Sequence, residues 1–428
     1  MSKGVHQRHG TGHRSAIPAM DFIFGGIEMY SYEDVMTFVE EEDVRFIRLA
    51  FCDVKGLQKN IAIMPGELKR AFETGISFDA SAIEGFGAEV KSDLFLFPDP
   101  ATLMTLPWRP AQGRVVRMFC DIKYPDGRRF DLDSRYILER AVEKAAERGI
   151  SCFFGAEFEF YLFKRDENGD PTIAPYDSAG YFDIAPIDRG ENIRREICID
   201  LDEMGIRPEA SHHEEGPGQH EIDFKFSEPL TAADNATTFK NVVKMVSMAN
   251  GAYADFSPKP LEGKSGSGMH INISVTDKEG RDVHPEFMAG IMKHIGEITY
   301  FLNPVKESYL RLGEKKAPRY ITWSHENRSQ LIRIPAAAPE NRRIELRSPD
   351  PEANPYIAYA LLIYAGLDGI EKNLKPQAPN NKNLFEAEER YIQRLKSLPS
   401  SLEEAKNLAA ASRMVRKSLP QQLCSQLK

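Results

Sequence analysis

Four stretches of the chain alternate strictly between apolar and polar positions. In residues 153–163, Phe154, Ala156, Phe158, Phe160 and Leu162 fall on one face, and Glu157 and Glu159 fall on the other. The run from Glu221 to Phe226 repeats the design, as does the run from Met269 to Val275, where His270, Asn272 and Ser274 share a face. In residues 342–347, Arg343, Glu345 and Arg347 line one face and are backed by Ile344 and Leu346. A period of two predicts strands with one buried face. Shorter β-rich runs lie at residues 44–51 and 57–64, separated by a hairpin signal at Gly56, and further short strands are expected near 102–107, 114–123 and 331–334. Residues 78–83 read as a small-residue loop carrying one acid, Asp79.

Helical periodicity fills most of the intervals. Helices are expected over residues 65–74, 231–250, 287–302 and 355–374. Another runs from Ser134 as N-cap to Gly149, and one carries Ile193, Ile197, Leu201 and Met204 on a single stripe. The fold class is therefore α+β. A turn at Tyr124-Pro125-Asp126-Gly127 divides a small domain, residues 22–125, from a larger one, residues 131–428. Residues 1–21 are polar, carry His6, His9 and His13, and lack the apolar core of a secretory signal, so a disordered tail is expected there.

With 42% hydrophobic and 28% charged residues, the chain has the make-up of a globular protein. A net charge of −9 argues against a nucleic-acid surface. The most apolar run, residues 357–367, is too short for a membrane helix. The five cysteines are scattered and form no C-x-x-C pair, so neither a disulfide framework nor a zinc knuckle is expected, and the cytoplasm is the expected location.

Taken singly, each alternating strand fits a half-solvated sheet. Together their polar faces are unusual, because they hold Glu157, Glu159, Glu221, His270, Glu345 and paired arginines. Carboxylates gathered at one place repel by about 4 kcal/mol per pair 4 Å apart at an effective dielectric near 20, unless a cation sits among them. Oxygen donors with one imidazole suit Mg²⁺ or Mn²⁺, and arginines beside a hard cation suit phosphate, which is the equipment of phosphoryl transfer. No P-loop or dinucleotide fingerprint is present; Gly266-Ser267-Gly268 leads into a strand, not a helix.

Five motifs resemble type I glutamine synthetases in order and spacing across roughly residues 28–420. They are Glu157-Phe158-Glu159; His213-Glu214 with Pro217-Gly218-Gln219-His220-Glu221; Gly266-Ser267-Gly268-Met269-His270; Asn327-Arg328-Ser329 with Arg333-Ile334-Pro335; and Arg343-Ile344-Glu345-Leu346-Arg347. The resemblance implies a β-grasp-like N-terminal domain and a catalytic domain whose antiparallel strands form a funnel flanked by helices. It implies a homo-oligomeric ring, a hexamer or dodecamer, with sites shared between neighbours.

By motif match, one metal would be held by Glu159, Glu214 and Glu221, and a second by Glu157, His270 and Glu345. ATP would meet Glu209, Phe226, Asn272, Ser274, Arg333 and Arg343, with Arg328 on its phosphates. Glutamate would lie against Gly266, Arg311 and Arg347. Asp79 of an adjacent subunit would join Tyr181 at the ammonium pocket. The implied reaction is ATP-dependent joining of ammonia to glutamate through a γ-glutamyl phosphate.

The chain departs from that pattern at several places. Lys316 stands where the family carries a flap glutamate, and the flap loop is one residue shorter. Ala82 replaces a serine of the ammonium pocket, and Ser265 replaces an asparagine of the glutamate loop. Phe385 stands where an adenylylation tyrosine is typical, and the extended C-terminal tail that ties two rings together is missing. These changes leave two alternatives to plain glutamine synthesis: a γ-glutamyl ligase using an organic amine, and a catalytically weak regulatory or structural homologue. The complete metal set argues against the last, because unpaired carboxylates are costly to keep.

Overall fold

In the computed structural model, residues 30–86, 92–109, 112–338 and 341–427 are described. The tail expected at residues 1–21 lies outside them.

Strand β1 (Val44–Cys52) turns at Gly56, whose φ of +79° favours glycine, and pairs antiparallel with β2 (Gln58–Ile63). Its other edge pairs parallel with β6 (Arg114–Lys123). The strands β3 (Ile76–Asp79), β4 (Asp93–Pro98) and β5 (Met104–Thr105) complete this sheet. Among the described residues its order is β2-β1-β6-β4-β3, with β5 on β6. Helix α1 (Tyr32–Glu41) and α2 (Leu68–Thr74) bury Val35, Val39, Leu68 and Ala71 in its core. Two expectations are corrected here. The first turn of the helix expected over 65–74 is a 3₁₀ turn, Pro65–Glu67. Residues 78–83 are not simply a loop: β3 ends at Asp79, which then caps a 3₁₀ turn over Ala80–Ala82.

Helix α3 (Ser134–Ala146) starts the second part. Its N-cap is Asp133, not Ser134: Asp133 Oδ1 accepts the Arg135 amide at 3.0 Å. Ser134 instead lies inside the helix, fully buried, and donates to the Asp53 carbonyl at 3.1 Å. The two parts are further joined by Arg135, which donates to Asp234 at 3.0 Å and to Asp99 at 3.0 Å.

The central strand β7 (Ile150–Arg165) is sixteen residues long. Around it lie β8 (Pro171–Pro175), β9 (Pro208–His213), β10 (Gln219–Phe224), β11 (Ala252–Asp255) and β12 (Met269–Asp277), followed by β13 (Trp323–His325), β14 (Ile332–Ile334) and β15 (Ile344–Leu346). The order is β13-β14-β15-β12-β7-β10-β9, with β8 and β11 also on β7. The pairings are antiparallel except β13 with β14.

The even-numbered face of β7 meets helices. Phe158 stacks on Phe239 of α5 (Pro229–Ala249), with ring centroids 5.0 Å apart, and Phe154 stacks on Tyr359 of α8 (Pro355–Glu371) at 4.6 Å. Each such phenyl stabilises the fold by about 2–3 kcal/mol through burial. The odd-numbered face is left for the site.

Helix α8 stops short of residue 374, because Asn373 takes a left-handed φ of +47°. Helix α6 (His284–Leu302) crosses α8 at backbone contact: a Cβ on Gly290 would lie 2.7 Å from the Gly369 nitrogen. Two shorter helices, α4 (Glu191–Glu203) and α7 (Lys306–Arg311), flank the sheet. The alternation read through Phe226 is cut at Phe224. The chain then swings over β7, and Ser227 exchanges backbone bonds with Phe154 at 2.9 and 3.0 Å. All five cysteines are free. Among the described residues no helix is long and apolar enough to cross a membrane.

Candidate active site

Register across the large sheet sets the polar side chains in three rows. In the first, His212 of β9 faces Glu221 of β10, which faces Glu159 of β7. In the second, Asp223 faces Glu157, which faces His270 of β12. In the third, Gly155 faces Asn272, then Glu345 of β15, then Arg333 of β14. Gly155 has no side chain to offer, and its place on that face is covered by Phe226; a Cβ there would stand 3.2 Å from that residue's own Cβ.

Side-chain contacts follow the rows. His270 Nδ1 lies 3.3 Å from Glu157 Oε2 and 3.8 Å from Glu345 Oε1. Asn272 donates to Glu157 at 2.8 Å and accepts from Arg343 at 3.0 Å. Glu345, fully buried, is ion-paired to Arg333 on one oxygen and to Arg347 on the other, at 3.1 Å for the latter. Arg347 also donates to the Arg328 carbonyl. Potential ligand atoms gather within 4.8 Å of one another in Glu157–His270–Glu345, in His212–Glu214–Glu221 and in Glu157–Glu221–Asp223.

Like charges facing each other distort the acidities. Burial, with Glu159 and Asp223 alongside, pushes the Glu221 carboxyl well above the usual range. Burial and Glu157 push Asp223 up to about 8. Burial and Glu159 also raise Glu214. Burial acts on Glu157 in the same sense, but His270, Asn272 and Arg333 outweigh it and hold that carboxyl at about 2. The first two rows hold neither arginine nor lysine, and their oxygen-rich donors with the two imidazoles fit a hard divalent cation.

The glycine loop closes one wall. Gly268 donates its amide to Glu159 Oε2 at 2.8 Å, and Gln219 donates to the Gly266 carbonyl at 3.1 Å. A Cβ on Gly266 would stand 2.9 Å from the Arg311 side chain. Arg311, buried on α7, donates to the carbonyls of Ser348 and Arg347 at 2.8 and 3.2 Å. The turn between β9 and β10 carries Glu214, and beneath it lies a buried network. His213 pairs with Asp177 at 2.9 Å; Arg194 pairs with Asp188 at 2.7 Å and meets His220 Nδ1 at 2.9 Å.

These walls enclose a cavity of about 350 Å³. Of the residues singled out from sequence, Glu157, Glu159, Tyr181, Glu214, Glu221, Gly266, His270, Arg311, Arg328, Arg333 and Arg347 line it. Glu345 lies directly behind it. Asn272, Ser274, Arg343 and Phe226 continue along the sheet beyond it. There Ser274 pairs with Phe153, whose ring meets Phe226 at 6.1 Å. Glu209 is exposed at the start of β9. Asp79 and Ala82 are exposed on the small domain and are not among the described residues lining the cavity of their own chain. Glu159 does not join the His212–Glu214–Glu221 group; one of its oxygens accepts the Gly268 amide, and the other lies 3.9 Å from His270 Nε2. Sequence reasoning missed His212, Asp223 and Glu215, all of which line the cavity.

The family model described as the glutamine synthetase β-grasp domain matches residues 43–125, and that of the glutamine synthetase catalytic domain matches residues 131–427. A glutamine synthetase of Methanosarcina mazei is 46% identical over 409 residues, covering 92% of this chain and 91% of the relative. One from Clostridium saccharobutylicum is 44% identical, covering 91% of each chain. A solved GmaS/ADP complex superposes with a TM-score of 0.84 at 27% identity, covering 92% of this chain and 94% of the other. With a β-grasp domain, a catalytic domain and close relatives along nearly its whole length, the chain belongs to the glutamine synthetase family of C–N bond-forming ligases.

Proposed function

We propose that the chain is an ATP-dependent glutamate–ammonia ligase working through a γ-glutamyl phosphate. One observation carries the reading: the Glu157, Glu159, Glu214, Glu221 and His270 side chains share a single cavity with Arg311, Arg328, Arg333 and Arg347. A free carboxylate is a poor electrophile. Transfer of the terminal phosphoryl of ATP to the γ-carboxylate breaks a phosphoanhydride bond and makes an acyl phosphate. The ammonia nitrogen then bonds to the carbonyl carbon, the bond to phosphate breaks, and a proton leaves the nitrogen.

Glu157, His270 and Glu345 would hold one Mg²⁺ or Mn²⁺, and Glu214 and Glu221, with His212 beside them, another. Glu159, opposite Glu221 in the sheet, would complete the second through its other oxygen. When bound, such cations offset the charge of the ATP phosphates. Arg328 would take the phosphoryl group, as its guanidinium can match phosphate oxygens bidentately. Arg333, Arg343, Asn272, Ser274, Glu209 and the exposed ring of Phe226 would seat the nucleotide. Gly266, Arg311 and Arg347 would orient glutamate. Asp79, which does not line the cavity of its own chain, would serve a neighbour's site beside Tyr181 in a hexameric or dodecameric ring in the cytoplasm.

A γ-glutamyl–amine ligase is the second reading, favoured by the Lys316 side chain over the Tyr181 ring. The test is glutamate- and ATP-dependent phosphate release across a panel of ammonia and primary amines. Saturation by ammonium supports the first reading; turnover only with an organic amine replaces it with the second; no turnover with any of them refutes both.

A further inference from the structure

Four segments meet along the cavity wall, and polar and charged side chains join them. Lys316 Nζ, from the loop after α7, lies 3.0 Å from Glu215 Oε1 on the β9–β10 turn. The same nitrogen stands 4.7 Å from the centroid of the Tyr181 ring. The other Glu215 oxygen accepts from Ser265 Oγ of the glycine loop at 3.1 Å, and the Glu215 amide is tied to Glu214 Oε2 at 2.8 Å. These residues face one volume: Tyr181, Glu214, Glu215, Ser265 and Lys316 each line the cavity.

The Lys316 head group is a primary alkylammonium. It is held on one side by a carboxylate and on the other by an aromatic face, two elements that together recognise a small cation. The pair is not locked in place. The Lys316 and Glu215 side chains are 47% and 38% exposed, so solvent screens their attraction and another cation can take the lysine's place. Ser265 fixes the carboxylate independently of Lys316, so the seat persists when the lysine leaves.

We infer that Glu215 and the Tyr181 ring form a seat for a primary ammonium group, and that Lys316 fills this seat as a built-in competitor which the incoming nitrogen substrate displaces. The inference rests on the ligase reading for the identity of that substrate, but not for the existence of the seat. Glu215 thereby becomes a specificity-determining residue, and Lys316 sets how much ammonium or amine is needed before the seat changes hands. Nothing in this exchange affects the nucleotide end of the cavity, which lies along β12, β14 and β15.

The test uses the full chain and three variants: Lys316→Met, Glu215→Gln and the double variant. Steady-state phosphate release is measured against ammonium chloride and methylammonium chloride at constant ionic strength. Lys316→Met is expected to lower the KM for the nitrogen substrate by about two- to fivefold, the range an exposed ion pair supports. The KM values for ATP and glutamate should not move. Glu215→Gln should raise the nitrogen KM, and the double variant should follow Glu215→Gln.

A second arm needs no turnover: melting temperatures in methylammonium chloride against equimolar sodium chloride. Lys316→Met should gain a methylammonium-specific rise that the double variant lacks. A nitrogen KM unchanged in Lys316→Met overturns the competitor role. Absence of any methylammonium-specific rise overturns the seat. If no amine supports turnover, the ligase reading falls while the melting arm still decides whether the seat exists.

Discussion

Asp177 Oδ1 lies 2.9 Å from His213 Nε2 and accepts the Gly218 amide at the same distance of 2.9 Å. One carboxylate oxygen thus spans both sides of the turn that carries Glu214. His213 Nδ1 faces the Glu214 carbonyl at 2.7 Å, and a carbonyl only accepts, so Nδ1 carries a proton. Replacing Asp177 by Ala leaves the buried imidazole without its partner and is expected to destabilise the fold by about 3–5 kcal/mol. It should also loosen Glu214 and Glu221, raising the Mn²⁺ concentration that half-saturates thermal stabilisation by roughly tenfold or more. A melting titration reads both. An unchanged Mn²⁺ midpoint would show that the network does not position the acids.

Divalent cations should stabilise the chain, and Glu221→Gln should separate that effect from folding. Without metal, burial and its acidic neighbours push the Glu221 carboxyl well above the usual range, so the apo fold gains little from that charge, and Gln should leave apo stability near the wild-type value. With metal at a hundred times its dissociation constant, the wild type gains about 2.7 kcal/mol, which the variant should largely lose. Denaturant midpoints with Mg²⁺ and with chelator are the measurement. Equal stabilisation of both proteins would remove Glu221 from the cation site.

Asp133 gives a pH dependence away from the cavity. Burial pushes its carboxyl up to about 6 from 3.8, although Arg129 beside it pulls the other way. Between those two values the folded chain binds more protons at this residue than the unfolded chain does. The Asp133 contribution to stability therefore falls as pH rises from about 4 to about 6, by roughly 1–3 kcal/mol. Asp133→Asn keeps an oxygen for the Arg135 amide and does not titrate. Its stability should be flatter across that window, checked by urea midpoints at several pH values. A parallel slope in both proteins would refute the assignment.

The α6–α8 crossing offers a packing test. A methyl group on Gly369 would fall 2.7 Å from the Gly290 nitrogen, and neither helix backbone can give way cheaply. Gly369→Ala is expected to cost about 1–3 kcal/mol through overpacking, despite the higher helix propensity of alanine. Gly296→Ala, where the nearest foreign atom is the Leu408 Cδ1 at 4.0 Å, should be neutral or stabilising. Differential scanning calorimetry of the pair decides it; equal effects would mean the helices separate readily.

Much of the site was legible because a strand period of two needs no long-range information. Glu157, Glu159, His270 and Glu345 share a face with one another for the same reason that Phe154 and Phe158 share the opposite one. Register was not legible. That Glu221 opposes Glu159, and Asp223 opposes Glu157, is set by where the hairpin and its neighbour lock together. His212 was missed because β9 shows no alternation, although counting outward from the turn would have placed it opposite Glu221. The Glu215–Lys316 contact joins loops far apart in sequence, which no local pattern records. Serine is a common cap and Ser134 reads as one, yet its neighbour Asp133 holds the amide, and the serine ties the helix to the small domain.

Strand β7 is bonded to β10, β12, β11 and β8 along its length. A slip of one residue in its pairing would turn Phe158 and Phe160 into the cavity and press Glu157 and Glu159 against the rings of Phe239 and Tyr359. One such error inverts every acid on the strand together. A cation that binds only the correct arrangement would therefore sort chains during maturation, drawing those in step out of the pool and leaving those out of step unrewarded. Metal supply during synthesis would then govern how many molecules reach the finished fold, separately from how fast each of them works.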